Sequence, residues 1–121
     1  MRKANSIVDQ KSYQFAIQIV TVYKWLCENR KEFVLSKQLL RIGTAIGALV
    51  KEAEHGQSKL DFLNKMNIAL KEANETLYWL LLLKDTNYIT EENFRKLNND
   101  ATELVRILAS IVKTTKNNVG K

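Results

Sequence analysis

Residues 35–53 read LSKQLLRIGTAIGALVKEA, and this stretch decides the fold class. Apolar side chains recur in it at alternating spacings of four and three residues, at Leu35, Leu39, Ile42, Ile46, Leu49 and Ala53. Such spacing places all six on one face of an α-helix and repeats over nearly three heptads. The pattern therefore predicts a helix that buries one face in a bundle.

Three other segments show the same helical periodicity. Together the four patterns predict helices over residues 9–29, 35–55, 58–84 and 90–114. Ser58 and Thr90 stand where the third and fourth helices need N-caps. Because the connections are short, successive helices should run antiparallel. We predict an all-α fold, an antiparallel up-down-up-down four-helix bundle that forms a single domain over residues 1–121.

The composition favours long helices and few loops, since the 121 residues include no proline and only four glycines. The only cysteine, Cys27, excludes an intrachain disulfide and suits a reducing compartment. The longest apolar run, residues 77–83, is much shorter than the roughly 20 residues that span a bilayer. We therefore expect a cytoplasmic protein with no membrane partner.

The net charge of +6 comes mainly from the two ends of the chain. A basic balance favours polyanions such as RNA, although a solvated basic surface with no partner is the commoner meaning of such a charge. If RNA binds, we expect contacts to backbone phosphates rather than bases. The candidate residues for these contacts are Arg2, Lys3, Lys11, Arg30 and Lys31.

The sequence contains no constellation that suggests catalysis. Glu52 and His55 have the Glu-x-x-His spacing of helical di-iron sites, but such sites need two of these motifs, and His55 is the only histidine. Cys27 lies on an apolar helical stripe, where a buried structural thiol is the simplest interpretation. A glycine-rich phosphate loop and a serine-centred elbow are both missing. We expect no metal, no cofactor and no enzymatic activity.

Gly43 and Gly47 lie four residues apart on one face of the predicted second helix. Glycine inside a helix costs about 1 kcal/mol relative to alanine. The pair therefore suggests that another backbone approaches closely at this point, from the same chain or from another subunit. Gly56 is expected to end the helix in a left-handed conformation.

Arg41, Glu72 and Glu75 become level with one another if the second and third helices fold back near Gly56. We predict an interhelical ion pair or a network among the three charges. The alternative is three independent solvated side chains, since exposed charges often make no pair that matters for stability.

Residues 77–83 read LYWLLLL, which makes the predicted third helix apolar on every side. One apolar face suffices for an intrachain core, so a helix without a polar side usually has two burial partners. We expect Trp79, Leu82 and Tyr78 to lie in an interface between copies of the chain, where aromatic anchors carry much of the energy. The alternative is a central helix covered by its own chain.

Three stretches carry a family resemblance: residues 34–41 (VLSKQLLR), 43–48 (GTAIGA) and 69–80 (ALKEANETLYWL). In these, and over roughly residues 10–112, the chain resembles the intervening-sequence four-helix-bundle proteins, first noticed as reading frames inside insertions of bacterial 23S rRNA genes. Leu49 stands where the family usually has Asn, and Ala45 where it has Ser. A polar role of these two positions is therefore not expected here.

The resemblance implies a four-helix protomer that assembles into a ring, typically a homopentamer, without enzymatic activity. A distant relative, the accessory variability protein of diversity-generating retroelements, is a basic pentamer that contacts nucleic acid and a reverse transcriptase. This chain is similar to that relative in fold and charge only. We therefore expect a non-enzymatic homo-oligomer, a homopentamer by resemblance, that contacts RNA or a nucleoprotein through a basic surface. The alternative is a protein–protein adaptor with no nucleic-acid partner.

Overall fold

The computed structural model describes residues 6–119, and four α-helices follow one another along this part of the chain. Their bounds are Ile7–Trp25 for α1, Leu35–Glu54 for α2, Lys59–Asp85 for α3 and Glu91–Val119 for α4. Each helix packs against the next, and α1 also packs against α4. The predicted all-α, antiparallel four-helix bundle is confirmed.

The core is one continuous cluster along the axis of the bundle. The seam predicted in α2 is largely confirmed, because Leu39, Ile42, Ile46 and Ala53 are at most 1% exposed. Leu35 and Leu49 are only half-buried at the edges of this seam. Helices α3 and α4 begin at the predicted N-caps. The Ser58 hydroxyl accepts a hydrogen bond from the Asp61 amide at 3.0 Å, and the Thr90 hydroxyl accepts one from the Asn93 amide at 3.1 Å.

Several helix ends differ from the sequence prediction. Helix α1 continues as a π-helical turn over Leu26–Arg30, and Lys31 then has a left-handed conformation with φ of 52°. Gly56 does not have the left-handed conformation predicted for it. The fourth helix is predicted to end at residue 114, yet α4 runs to Val119. Val112, about two turns before this end, is the last residue of α4 that is buried.

The two glycines of α2 both face α1. A Cβ atom at Gly47 would lie 3.3 Å from the carbonyl oxygen of Ser12, which is backbone. A Cβ atom at Gly43 would lie 2.9 Å from Cγ1 of Ile19. Ile19 is fully buried in a close-packed core, so it has little room to move aside. In the protomer, the element that approaches these glycines is therefore α1 of the same chain.

The N-terminus of helix α2 is capped by a side chain from outside the usual N-cap position. No side chain caps it at Val34, the residue before its first turn. The carboxylate of Glu32 instead accepts hydrogen bonds from the amides of Val34, Leu35 and Ser36, at 3.2, 3.1 and 2.7 Å. The Ser36 hydroxyl donates in return to the Glu32 carbonyl oxygen at 2.7 Å. Burial alone would raise the pKa of Glu32, but these hydrogen bonds outweigh it and hold the pKa below its ordinary value.

Replacing Gly43 with alanine should destabilise the protein by about 1 kcal/mol, because crowding against Ile19 exceeds the gain in helix propensity. Urea unfolding measures this change. A double-mutant cycle with Ile19→Ala identifies the cause, since removal of the crowded side chain should make the two changes less than additive. Strict additivity would show that the contact between Gly43 and Ile19 is not responsible.

Replacing Glu32 with glutamine should destabilise the protein by about 1 kcal/mol at neutral pH, because the charge on the α2 cap is lost. The pKa of Glu32 is lowered by folding, so its contribution is complete above the ordinary carboxyl pKa and disappears as the pH falls through the lowered value. The stability gap between the two proteins should therefore close in acid. Glu28→Gln, an exposed neighbour, is the matched control. A gap that persists unchanged in acid would contradict this role.

Candidate assembly and nucleic-acid surfaces

Helix α3 has one buried stripe and one open face. The buried stripe consists of Met66, Ala69, Ala73, Thr76, Leu80 and Leu83, all fully buried. The open face, which we call the α3 ridge, carries four exposed apolar side chains, Leu60, Ile68, Tyr78 and Leu81. All four are at least 45% exposed, and exposed polar residues such as Asn67, Lys71 and Asn74 lie between them on the same face.

The three predicted interface residues have different surroundings. Tyr78 is 61% exposed on the ridge. Trp79 is half-buried and packs against the core of its own protomer. Leu82 is also half-buried, and it is Leu81, 45% exposed, that points into solvent. The rings of Tyr78 and Trp79 form an edge-to-face pair with centroids 5.3 Å apart. The exposed tyrosine ring therefore packs against Trp79 on one side.

A second apolar surface lies along α1. Tyr13, Ile17 and Trp25 are 65%, 46% and 43% exposed on its outward side. Ile17 and Trp25 also line a groove of about 320 Å³ between α1 and α4, which we call the α1–α4 groove, whereas Tyr13 lines a separate cavity between α1 and α2. The apolar lining of the α1–α4 groove consists of Ile17, Val22, Trp25, Ile89 and Leu97. Sequence periodicity missed this surface, because the same helix also supplies buried residues such as Phe15 and Ile19.

The ridge and the groove open on different sides of the bundle. Helices α1 and α3 each pack against both α2 and α4, so they occupy opposite corners of the four-helix arrangement. The α3 ridge therefore points away from the α1–α4 groove. A single protomer cannot cover one of these surfaces with the other.

Two of the five predicted phosphate contacts, Arg2 and Lys3, lie outside the described residues. Two of the others are engaged within the chain. Lys11 forms an ion pair with Glu103 at 3.2 Å, and the ammonium of Lys31 donates to the carbonyl oxygen of Glu28 at 3.1 Å. Both lysines remain exposed, but phosphate binding would compete with these partners.

Arg30 joins the end of α1 to the loop between α3 and α4. Its Nη1 donates to the carbonyl oxygens of Asn87 and Tyr88, at 2.8 and 3.3 Å. Its guanidinium also lies 4.8 Å from the centre of the Tyr88 ring. Hydrogen bonds from a charged donor together with a cation–π contact make this side chain a structural clamp.

Arg41 does not pair with Glu72 or Glu75 in the protomer. Its Nη2 donates to the side-chain oxygen of Gln38, one turn earlier on the same helix, at 2.9 Å. Among residues 6–119 the ion pair that joins α2 to α3 is instead Glu52 with Lys65, at 3.1 Å. The ion pair between the two helices therefore lies nearer the α2–α3 turn than predicted. Arg41 is exposed on the outward side of α2.

A polar cluster at the N-terminal end of α1 escaped the sequence analysis. The Ser6 hydroxyl caps this helix and donates to Oε2 of Glu54 at 2.9 Å. Glu54 is 4% exposed, and its Oε1 has no hydrogen-bond partner within residues 6–119. Lys51 contacts Asp9 at 2.9 Å, and this hydrogen bond, with the nearby Glu54 charge, raises the pKa of Lys51. No local pattern signals the cluster, since it joins residues from two helices.

The described residues offer little for metal or thiol chemistry. Within them, no group of three or more His, Cys, Asp or Glu side chains is placed to hold a metal ion. Cys27 is half-buried, and its thiol donates to the Glu32 carbonyl oxygen at 3.8 Å. A hydrogen bond with this thiol raises the pKa of Tyr23. Across residues 6–119, none of the helices has the length and apolar character needed to cross a membrane.

Arg30→Met should lower the free energy of unfolding by about 1 kcal/mol, because it keeps the alkyl chain but removes the guanidinium contacts to the α3–α4 loop. Urea unfolding checks this prediction. Arg95→Met is the matched control, since Arg95 is exposed and has no partner within residues 6–119, and it should leave stability almost unchanged. Equal stability of the two variants would contradict the clamp.

Comparisons with known proteins agree with this architecture. A family model described as 23S rRNA-intervening sequence protein matches residues 4–110. The chain is also similar to a crystal structure of a protein with unknown function from the S23 ribosomal protein family of Bacteroides thetaiotaomicron. The two share 58% sequence identity and a TM-score of 0.87, over 88% of this chain and 99% of that chain. No curated protein matches the sequence. With a family model covering most of its length, the chain belongs to the 23S rRNA-intervening sequence protein family.

Proposed function

We propose that this chain is a non-enzymatic structural protein whose copies assemble head to tail into a closed ring, and that the ring presents a basic surface to RNA. The observation that carries the proposal is the pair of unlike apolar surfaces that the protomer leaves open. One is the α3 ridge, and the other is the α1–α4 groove. Apolar patches of this kind usually mark interaction sites on soluble proteins.

The shapes and positions of the two surfaces favour a heterologous contact. A two-fold dimer would use one surface that is complementary to itself, whereas here a ridge and a groove lie on different sides of the bundle. The ridge of one protomer fits the groove of the next, and the pattern then repeats until the ring closes. A ring of five is the size implied by the family resemblance.

Aromatic side chains stand at the centre of the proposed interface. Tyr78 projects from the ridge and is held by the Trp79 ring beneath it. Trp25 forms a wall of the groove and is 43% exposed in the protomer. Rigid aromatic anchors lose little conformational freedom on burial and often dominate binding energy. Tyr78 and Trp25 are therefore the residues on which assembly should depend most.

The charge of the assembled ring supports an RNA partner. Each protomer has a net charge of +6, so bringing copies together places like charges near one another. A bound polyanion would relieve this repulsion and gain affinity from every copy at once. A cytoplasmic location is part of the proposal, because it matches the single cysteine and an RNA partner.

A protein–protein adaptor with no nucleic-acid partner is the second candidate. The observation in its favour is that Lys11, Arg30 and Lys31 are engaged by partners within the protomer. An adaptor would use the same ring, with its outward surfaces binding other proteins. The two candidates differ in whether the purified ring binds nucleic acid directly.

Sedimentation of the purified full chain should give a mass of about 70 kDa, five times the 14.0 kDa protomer. Tyr78→Glu should break the ring, since a carboxylate in an apolar interface is costly. Ala109→Glu, at an exposed position on α4, is the matched control and should leave the mass unchanged.

Mixing two broken variants tests whether the contact is heterologous. Tyr78→Glu damages only the ridge, and Trp25→Glu damages only the groove. In a mixture, the intact ridge of the Trp25→Glu variant should bind the intact groove of the Tyr78→Glu variant. The mixture should therefore form dimers and no larger assembly. A wild-type chain that sediments as a lone protomer at high concentration would overturn the proposal, and so would a Tyr78→Glu ring of normal size.

A further inference from the structure

We infer that the outward face of α4 binds the phosphate backbone of duplex nucleic acid, without reading its sequence. This inference rests on the proposed RNA contact and assigns that contact to a site. The site, which we call the α4 stripe, consists of Arg95, Arg106, Lys113 and Lys116. None of them was among the phosphate contacts predicted from the sequence.

The four cations are lined up by the helix. Their spacings of 11, 7 and 3 residues are close to whole numbers of turns, so they share one side of α4. All four are exposed. The stripe runs over 21 residue steps, which at 1.5 Å per residue is about 32 Å. That length is close to one turn of a nucleic-acid duplex.

The stripe is also free of competing partners. Within residues 6–119, none of its four side chains makes a hydrogen bond or an ion pair. Unpaired cations on the other helices occur one or two at a time, at Lys24, Lys37, Lys59 and Lys71. Only α4 aligns four of them within the described part of the chain.

Three of the four acidic residues of α4 have partners on other helices. Glu103 pairs with Lys11, and Asp100 accepts a hydrogen bond from Gln18 at 3.0 Å. Glu91 lies 3.9 Å from Lys84. Glu92 is exposed at the first turn, before the stripe begins. From Arg95 to the end of the described part of α4, every carboxylate thus has a partner on another helix, while the four cations of the stripe do not.

The stripe stays accessible in the proposed ring. Helix α4 packs against α1 and α3 and lies across the bundle from α2. The ridge and the groove use the outward side of α3 and the α1 side of α4. Each protomer would then present its own copy of the stripe on the same wall of the ring.

The chemistry of the stripe fits a duplex better than a membrane or a single strand. Among exposed large apolar residues, α4 carries only Val119, so it lacks the apolar side that a membrane-bound helix needs. It also lacks an exposed aromatic side chain on which single-stranded bases could stack. Between the cations lie Asn99, Thr102 and Ser110, whose short polar side chains suit phosphate and sugar contacts.

Fluorescence anisotropy with labelled RNA and DNA duplexes of roughly 20 base pairs, and with single-stranded RNA of equal length, tests this site. The full chain should bind both duplexes, bind the single strand more weakly, and lose affinity as salt rises. Arg106→Glu with Lys113→Glu should weaken duplex binding at least tenfold at moderate salt. The slope of log K against log salt should become shallower by about 2, roughly 1 for each lost contact.

The matched control is Lys37→Glu with Lys59→Glu, which changes the net charge equally at two exposed, unpaired lysines on α2 and α3. It should weaken binding much less, and both variants should sediment like the wild type. Equal weakening by the two variants, or tighter binding of the single strand than of the duplexes, would show that the α4 stripe is not the duplex-binding site. Either result would leave the proposed RNA contact of the ring intact. If the wild-type ring binds no nucleic acid, the proposed RNA contact itself is rejected, and the protein–protein adaptor becomes the favoured function.

Discussion

The helices of this protein carry more apolar surface than the core of one bundle can cover, and this excess constrains the rest of the molecule. Helix α2 has a single apolar face, and the centre of that face is buried. Helix α3 is different, because Leu80 and Leu83 fill the core while Tyr78 and Leu81 remain outside. Helix α1 adds Ile17 and Trp25 on another side. A free protomer would expose both surfaces to water, which favours contact between copies.

Close packing joins α1 to α2. Gly43 and Gly47 let α1 approach α2, so that Ile19 and the backbone at Ser12 lie where side chains would otherwise stand. Charged groups then fix the ends of the bundle. Glu32 caps α2, and Arg30 holds the α3–α4 loop. Arg30, which a charge count would assign to RNA, thus serves the fold, and within residues 6–119 only the outward side of α4 aligns four unpaired cations.

The fold was predictable from the sequence because the apolar seam of α2 lies on one identifiable face of the helix. Its polar residues fall between apolar ones in a four-three pattern, so only one face can be buried. Residues 77–83 have no such face, since every position is apolar. Their pattern therefore cannot reveal that Leu81 is exposed in the protomer while Leu82 is half-buried, and the interface role of Leu82 remains a prediction.

The partners of charged side chains were the part that the sequence could not reveal. Lys11 and Glu103 are 92 residues apart, and only the tertiary structure brings them together. The Arg41 prediction used the correct hairpin but required the side chain to point toward α3, whereas it points to solvent. Helix α4 also extends to Val119, beyond the predicted end at residue 114, although most residues after Val112 are polar and exposed.

The environment of Trp25 tests most directly whether copies of the chain cover one another. The protein has two tryptophans, so Trp79→Phe leaves Trp25 as the only indole reporter. If copies cover the groove as proposed, acrylamide quenching of its fluorescence should be weak at micromolar protein concentration and strong after dilution to nanomolar, because the proposed ring would dissociate and expose the groove. Quenching that is equally strong at every concentration would show that the groove is never covered, and would contradict assembly through this surface.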